Sequence, residues 1–373
     1  MNRVIMFIIF IVLASAVYFG LHFFVYKSLV RFLLQDAPAW KKIIKWLFWF
    51  SGLSFLAAQL LSRLLKIYLL NYYAFVWMGL IAISFFIFLV QRLLALIFSS
   101  HAKGLAIGAL VVIGIISLIS IINGLQFPRV KRITIPMKNL PQQLSGFSIV
   151  QVSDLHLEAY SSKKRLGRIV EKINSLKPDL VVLTGDLIDG NICEEPSFCM
   201  QLKRLDATHG VLAVTGNHEF YAGLPIFYEM AKQSNIKILR NETVTIADTL
   251  QVIGLDDDTA KQFGIKGKSL DDLIKKCNTS NPVILLYHRP ERFDEAVKKG
   301  VNLQLSGHTH AGQIPPMDII VYLIYKYPWG LYKKGDAYIY TSSGTGFWGP
   351  PMRFLSRNEI VYIKLERSAD VDD

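Results

Sequence analysis

Three stretches of this chain, Ile5–Phe24, Tyr68–Val90 and Leu105–Leu125, run apolar and uncharged. Each is long enough to cross a hydrocarbon layer, which takes about 20 residues at helical rise. Lipid offers no partner to a bare peptide group, so such stretches must close their hydrogen bonds within a helix. A fourth run, Trp46–Leu61, is shorter, but Lys45 and Arg63 stand at its ends and could snorkel to the interface. The pattern predicts four transmembrane helices within residues 1–128. A cleaved signal peptide fits the first run poorly, because it is too long and more runs come after it.

Charge follows the same division. The net charge is +12, a value that by itself suggests nucleic acid. Residues 1–128, however, hold ten Lys/Arg against the single acid Asp36, while residues 129–373 hold 31 basic against 28 acidic residues. Basic residues beside membrane segments are topology and headgroup determinants, so a nucleic-acid partner loses its main support. With four crossings the basic residues tie at seven on each side. Arg129, Lys131, Arg132 and Lys138 read as part of a folded domain, which crosses largely regardless of charge. Discounting them places the C-terminal part outside the cytoplasm, and a Trp46–Leu61 segment lying on the surface would flip that parity.

From Phe147 onward, short apolar runs of strand length alternate with helical patterns, an α/β arrangement. "RLGRIVEKINSLKPD" sets Leu166, Ile169, Val170, Ile173 and Leu176 on one stripe, and "SLDDLIKKC" opens with a capping-box pattern at Ser269 and Asp272. Five strand-like runs end in polar residues: Asp154 and His156; Asp186; Asn217 and His218; His288; His308 and His310. Ligands usually bind at such strand ends in α/β sheets. In an extended "HTH", His308 and His310 would point to one side and could reach a common point. Carboxylates and neutral imidazoles suit Zn²⁺, Mn²⁺ or iron. The set suffices for two ions about 3.5–4 Å apart, bridged by a carboxylate for which Asp186 is the natural choice. Cys193 and Cys199 could bridge a loop, although ordinary unpaired cysteines fit equally.

The blocks "DLH", "GD", "GNHE", "YHRP" and "GHTH", in that order, resemble the calcineurin-like metallophosphoesterases over roughly Phe147 to Leu365. Within that family the chain looks most like the membrane-associated, bacterial YkuE/YaeI-like branch, on "TGDLIDG", "VTGNHEFY", "LSGHTHAGQIPP" and "GTGFWGPPMRF". The resemblance implies an α/β sandwich of two mixed β-sheets flanked by helices, spanning 129–373 behind the four-helix transmembrane region. It assigns Asp154, His156, Asp186 and His310 to one divalent ion and Asp186, Asn217, His288 and His308 to a second. His218 would be the general acid. Glu219 could orient His218, support the ligands from behind them, or simply be a surface or capping acid. Asp256–Asp258 could sit near the site but reads first as a solvated turn, and Arg289 as a phosphate ligand or an ion-pair partner.

The expected activity is phosphodiester or pyrophosphate hydrolysis by a protein of the bacterial cytoplasmic membrane. Partners are the lipid bilayer and a phosphorylated lipid or small molecule. UDP-2,3-diacylglucosamine, the substrate of one relative in this branch, is a specific candidate. An anchored enzyme for soluble substrates and a metal-free scaffold are the alternatives, the last disfavoured by the intact ligand set. The aromatic stretches "IPPMDIIVYLIYKYPWGLYKKG" and "GFWGPPMRF" either pack the sandwich or form a lip that meets the bilayer.

Overall fold

A computed structural model describes residues 3–65, 68–158, 161–192 and 196–368. The chain forms two compact units, one of Met1–Leu125 with Gln313–Ile319 and Gly349–Leu355, the other of Gln126–Gly312, Ile320–Trp348 and Ser356–Asp373.

The first unit holds helices α1 (Arg3–Phe32), α2 (Pro38–Leu65), α3 (Tyr68–Ile97) and α4 (Ala102–Leu125). Among the described residues three helical spans are long and apolar enough to cross a membrane: Ile11–Phe32, Leu69–Ile97 and Ser99–Leu125. The expected fourth, around Trp46–Leu61, lies within helix α2 and is not among these spans of the described residues. Polar side chains knit α1 to its neighbours: Tyr18 donates to the Gly52 carbonyl at 3.1 Å, and Trp77 Nε1 to His22 Nε2 at 2.9 Å. The two late segments pack in the same unit, with Ile314 and Met352 against Ile83. The Arg353 amide donates to the Ser120 carbonyl at 2.7 Å.

In the second unit, strands β1 (Arg129–Met137), β2 (Ser148–Val152), β3 (Leu180–Leu183), β4 (Val211–Ala213) and β5 (Lys237–Ile238) precede β6 (Glu242–Ile246) and β7 (Leu250–Gly254). Then come β8 (Val283–Leu286), β9 (Leu303–Ser306), β10 (Gly330–Lys334), β11 (Ala337–Thr341) and β12 (Glu359–Arg367). They form two six-stranded sheets, ordered β1-β12-β2-β3-β4-β5 and β10-β11-β9-β8-β7-β6. Both are mixed. β12 pairs parallel with β1 and antiparallel with β2, whereas β2, β3 and β4 run parallel, as do β7, β8 and β9.

Period-two alternation explains the layering. Ile149, Leu180 and Val182 face Ile284, Leu286, Leu303 and Leu305 between the sheets. The intervening Val150, Val152, Val181 and Leu183 pack outward on the expected helical stripe, Leu166, Ile169, Val170 and Ile173 of helix Lys163–Asn174. On the far face Ile253, Val283 and Leu285 meet Leu270 and Leu273, whose helix starts at the expected Ser269–Asp272 capping box. All these strands are buried on both faces, so the C-terminal ends of β2, β3, β4, β8 and β9 are where polar residues can surface.

The aromatic stretches divide between the two expectations. Tyr327, Ala337 and Ile339 pack with Phe293, whereas helix Met317–Ile324 leaves Ile319, Tyr322, Leu323 and Ile324 exposed. Cys199 is buried in helix Pro196–Leu202, while Cys193 and the C-terminal "DVDD" lie outside the described residues.

Candidate metal centre

Each of the five parallel strands hands its site residues over within a few positions of its last hydrogen bond. The backbone turns sharply there. Asp154, His156, Asp186, His308 and His310 all have positive φ, between 46° and 72°. Left-handed backbone is uncommon for residues other than glycine, costs on the order of 1–3 kcal/mol, and gathers at functional sites. The "HTH" segment is therefore not extended as expected. Its two imidazoles diverge into neighbouring clusters instead of meeting at one point.

His310 joins Asp154 and His156; His308 joins Asp186 and His288. Asp186 links the clusters: its Oδ2 lies 3.1 Å from His288 Nε2, 3.9 Å from His156 Nε2 and 4.0 Å from His218 Nε2. His156 Nε2 and His310 Nε2 approach to 3.0 Å, and His310 Nε2 lies 3.5 Å from Asp154 Oδ1. His288 Nδ1 bonds the Thr184 carbonyl at 2.8 Å, which turns Nε2 toward Asp186. Asn217 is buried, and its Oδ1 has no hydrogen-bond partner among the described residues. A buried carbonyl oxygen without a donor costs about 1–3 kcal/mol, and a cation would satisfy it.

The charge balance points the same way. Burial alone would strip the proton from His288, but Asp186 reverses this and lifts its pKa to about 10. Burial and the neighbouring charge on His288 push His308 down to about 3. Burial also opposes the charge on Asp186, yet His288, His156 and His218 hold it well below the usual carboxylate range. A proton on one imidazole here occupies the place that a metal cation would take, so metal uptake must release protons.

One acid missed in the sequence, Asp189, and one singled out there, Glu219, organise this centre. Asp189 accepts His156 Nδ1 at 2.7 Å and His218 Nδ1 at 2.8 Å through the same Oδ1. Both imidazoles thereby present Nε2 inward, the role that outer carboxylates play for metal-bound histidines. Its position three residues after Asp186 in "GDLID" was the available signal. Glu219 is fully buried and accepts the backbone amides of Asp186, Leu187, Ile188 and Gly216. It clamps two ligand loops and makes no bond to the His218 ring. Asp256 and Asp257 correct another expectation, since both are buried and not solvated. Asp256 pairs with Arg240, and Asp257 accepts Arg289 Nε at 2.7 Å. Arg289 is thus an ion-pair partner.

The sequence pattern of the calcineurin-like phosphoesterases matches residues 147–312. An uncharacterised metallophosphoesterase of Aquifex aeolicus is 34% identical over 243 residues, covering 64% of this chain and 92% of the relative. The chain belongs to the metallophosphoesterase family. YkuE of Bacillus subtilis, also a metallophosphoesterase, is 32% identical over 250 residues, 62% of this chain and 84% of YkuE. A zebrafish "transmembrane protein with metallophosphoesterase domain" is 33% identical over 272 residues, 70% of this chain. The chain spans 62% of that relative's length, and 65% of a Helicobacter pylori metallophosphoesterase.

Proposed function

We propose that this metallophosphoesterase is a membrane-anchored, metal-dependent hydrolase of phosphodiester or pyrophosphate bonds in a lipid or lipid-linked substrate. The observation that carries the hydrolytic reading is Asp186, a buried carboxylate at the junction of two ligand clusters. Asp154, His156, Asp186 and His310 would hold one divalent ion, and Asp186, Asn217, His288 and His308 the other. When bound, such ions neutralise phosphoryl charge and activate a nucleophile. The protein's own part follows from its hydrogen bonds. Asp189 fixes His218 Nδ1, so the ring offers its other nitrogen, Nε2, to a leaving oxygen. Glu219 and the amides it binds hold the loops of Asp186 and His218 at one spacing.

The exposed apolar residues of helix Met317–Ile324 support a lipid substrate, with Lys326 and Lys333 close behind in sequence. Anchoring to spans would raise the local concentration of such a substrate. The side of the membrane is read from the three spans. The connection between the first two carries Lys41, Lys42, Lys45, Arg63 and Lys66, with Lys27 and Arg31 at its edge. The next carries Lys103, with Arg92 at its edge. The positive-inside rule puts the first connection in the cytoplasm. The chain after the third span shares that side, which reverses the orientation expected from four crossings. A cytoplasmic site favours a nucleotide-linked lipid precursor, UDP-2,3-diacylglucosamine being one candidate.

The test is a screen of the detergent-solubilised chain with Mn²⁺, Zn²⁺ or Fe²⁺, comparing bis(p-nitrophenyl) phosphate with lipid diphosphates. Turnover that Asp186→Asn abolishes, together with loss of metal, is the expected result. Metal content and turnover untouched by that substitution would refute the reading.

A further inference from the structure

Around His218 the molecule exposes aromatic surface that the hydrolytic machinery does not use. The ring of Tyr221 meets the His218 ring edge to face at 5.6 Å, and that of Trp348 does so at 6.0 Å. Phe263 continues the surface, 6.3 Å from Tyr221. Large aromatics are normally drawn inside, yet these are 58%, 56% and 47% exposed. Exposed side by side, next to a proton donor, they form a patch and not scattered surface residues.

Tyr221 and Trp348 are positioned by the site itself. Tyr221 lies on helix Asn217–Ala222, three residues beyond His218. Trp348 comes after a loop whose amides at Thr345 and Gly346 donate to the Ser153 and Asp154 carbonyls at 2.7 and 2.9 Å. Gly346 sits so close to the Asp154 loop that a Cβ would fall 2.4 Å from the Leu155 carbonyl oxygen. The patch is therefore held to the strand ends that carry Asp154 and His218.

We infer that Tyr221, Trp348 and Phe263 form a subsite for an apolar chain or ring on the leaving group. The inference rests on the reading of His218 as the group that protonates the leaving oxygen. If it does, whatever that oxygen carries must lie against the surface flanking His218. Charge separates an apolar leaving group from an anionic one. Arg240, Arg289 and Arg292 are engaged by Asp256, Asp257 and Asp258, and Lys261 also pairs with Asp258. The aromatic rings offer apolar area and π faces instead.

The experiment uses the full-length protein, metal-loaded in detergent, with two series of phosphodiesters. In methyl 4-alkylphenyl phosphates the tail, from methyl to hexyl, lies on the leaving phenol, whose acidity barely changes along the series. In alkyl 4-methylphenyl phosphates the tail lies on the group that stays. For the first series, kcat/KM should rise roughly twofold per methylene, half of what full burial gives, with the change mostly in KM. Trp348→Ala and Tyr221→Ala should flatten that slope, and Trp348→Phe should retain most of it. The second series should show the same slope in wild type and variants. All proteins share one micelle, so only the difference between them is read. No turnover of the shortest ester by metal-loaded wild type would sink the hydrolytic reading itself. Turnover with a slope that the alanine variants do not alter would overturn the subsite alone.

Discussion

Replacing Gly216 by alanine tests whether the site depends on close backbone approach beside Asp186. Gly216 has φ −95° and ψ −166°, which an alanine adopts without strain, so the effect must be steric. An added Cβ would lie 2.1 Å from Asp186 Oδ1, 2.6 Å from the Asp186 amide nitrogen and 2.8 Å from its Cγ. An ordinary contact needs at least 3.4 Å, so the carboxylate would have to retreat by more than an ångström. The side chain alone cannot yield, because the backbone nitrogen is also in the way. Shifting it stretches the 3.0 Å bond from that amide to Glu219, and the 2.9 Å bond from the His218 amide to Asp186 Oδ1. Overpacking costs about 1–3 kcal/mol and a weakened bond to a charged acceptor about 1.5–3. The expected loss is about 3–5 kcal/mol, or roughly 10 °C in Tm for a unit of this size. Misplacing Asp186 by about 1 Å should cost at least 10²-fold in kcat/KM. Thermal unfolding, bound metal by mass spectrometry and turnover should be measured against Gly190→Ala, where a Cβ meets nothing within 4 Å. A Gly216→Ala protein that matches this control in all three would refute the argument.

His218→Asn should keep its metal yet lose about 10²–10⁴-fold in turnover on poor leaving groups, and far less on p-nitrophenyl esters. Equal loss on both would indicate positioning instead. Asp189→Asn should weaken metal binding about 10–100-fold through His156 and also reproduce the leaving-group dependence of His218→Asn; wild-type metal affinity would separate it from the centre. Asp294 accepts Lys326, Lys334 and the Tyr327 hydroxyl, and these bonds depress its pKa. A carboxylate whose folded pKa is lowered stabilises the protein above its unfolded value, near 3.9, and loses that contribution as pH falls through the folded one. Because the group is well exposed, screening limits Asp294→Asn to about 1 kcal/mol at pH 7, with a Tm difference that shrinks below pH 4 and not above it. A green fluorescent protein fused after residue 373 should fluoresce in cells and an alkaline phosphatase fusion stay inactive; the opposite pair would restore the extracytoplasmic orientation.

The clustering of Asp154, His156, Asp186, His288, His308 and His310 was legible because chemistry restricts the candidates: few residues bind hard or borderline cations, and each strand ended on one of them. Asp189 escaped because an acid that braces an imidazole looks in sequence like any loop aspartate. The burial of Asp257 and the backbone contacts of Glu219 were illegible for a related reason. A buried carboxylate is made tolerable by partners from distant segments, Arg289 and the amides of residues 186–188, which no local pattern reveals. The left-handed turns at Asp154, His156, Asp186, His308 and His310 are likewise imposed by tertiary structure, since local preference would leave "HTH" extended. Hydropathy located three spans among the described residues, and the fourth expected run lies within helix α2.

Strand β12 has a consequence for how the protein is made. It lies between β1 and β2, and its register pairs Arg129 with Glu359, 230 positions later. At a synthesis rate of about 5–20 residues per second, β1 emerges roughly 10–50 s before its partner exists. Throughout that interval β1 and one side of β2 are open edges, able to accept a foreign strand. Any spans already inserted would hold such a nascent chain at the membrane surface. A ribosome stalled before residue 359 would therefore leave a tethered, half-closed sheet, a ready substrate for chaperones and proteases working at that surface.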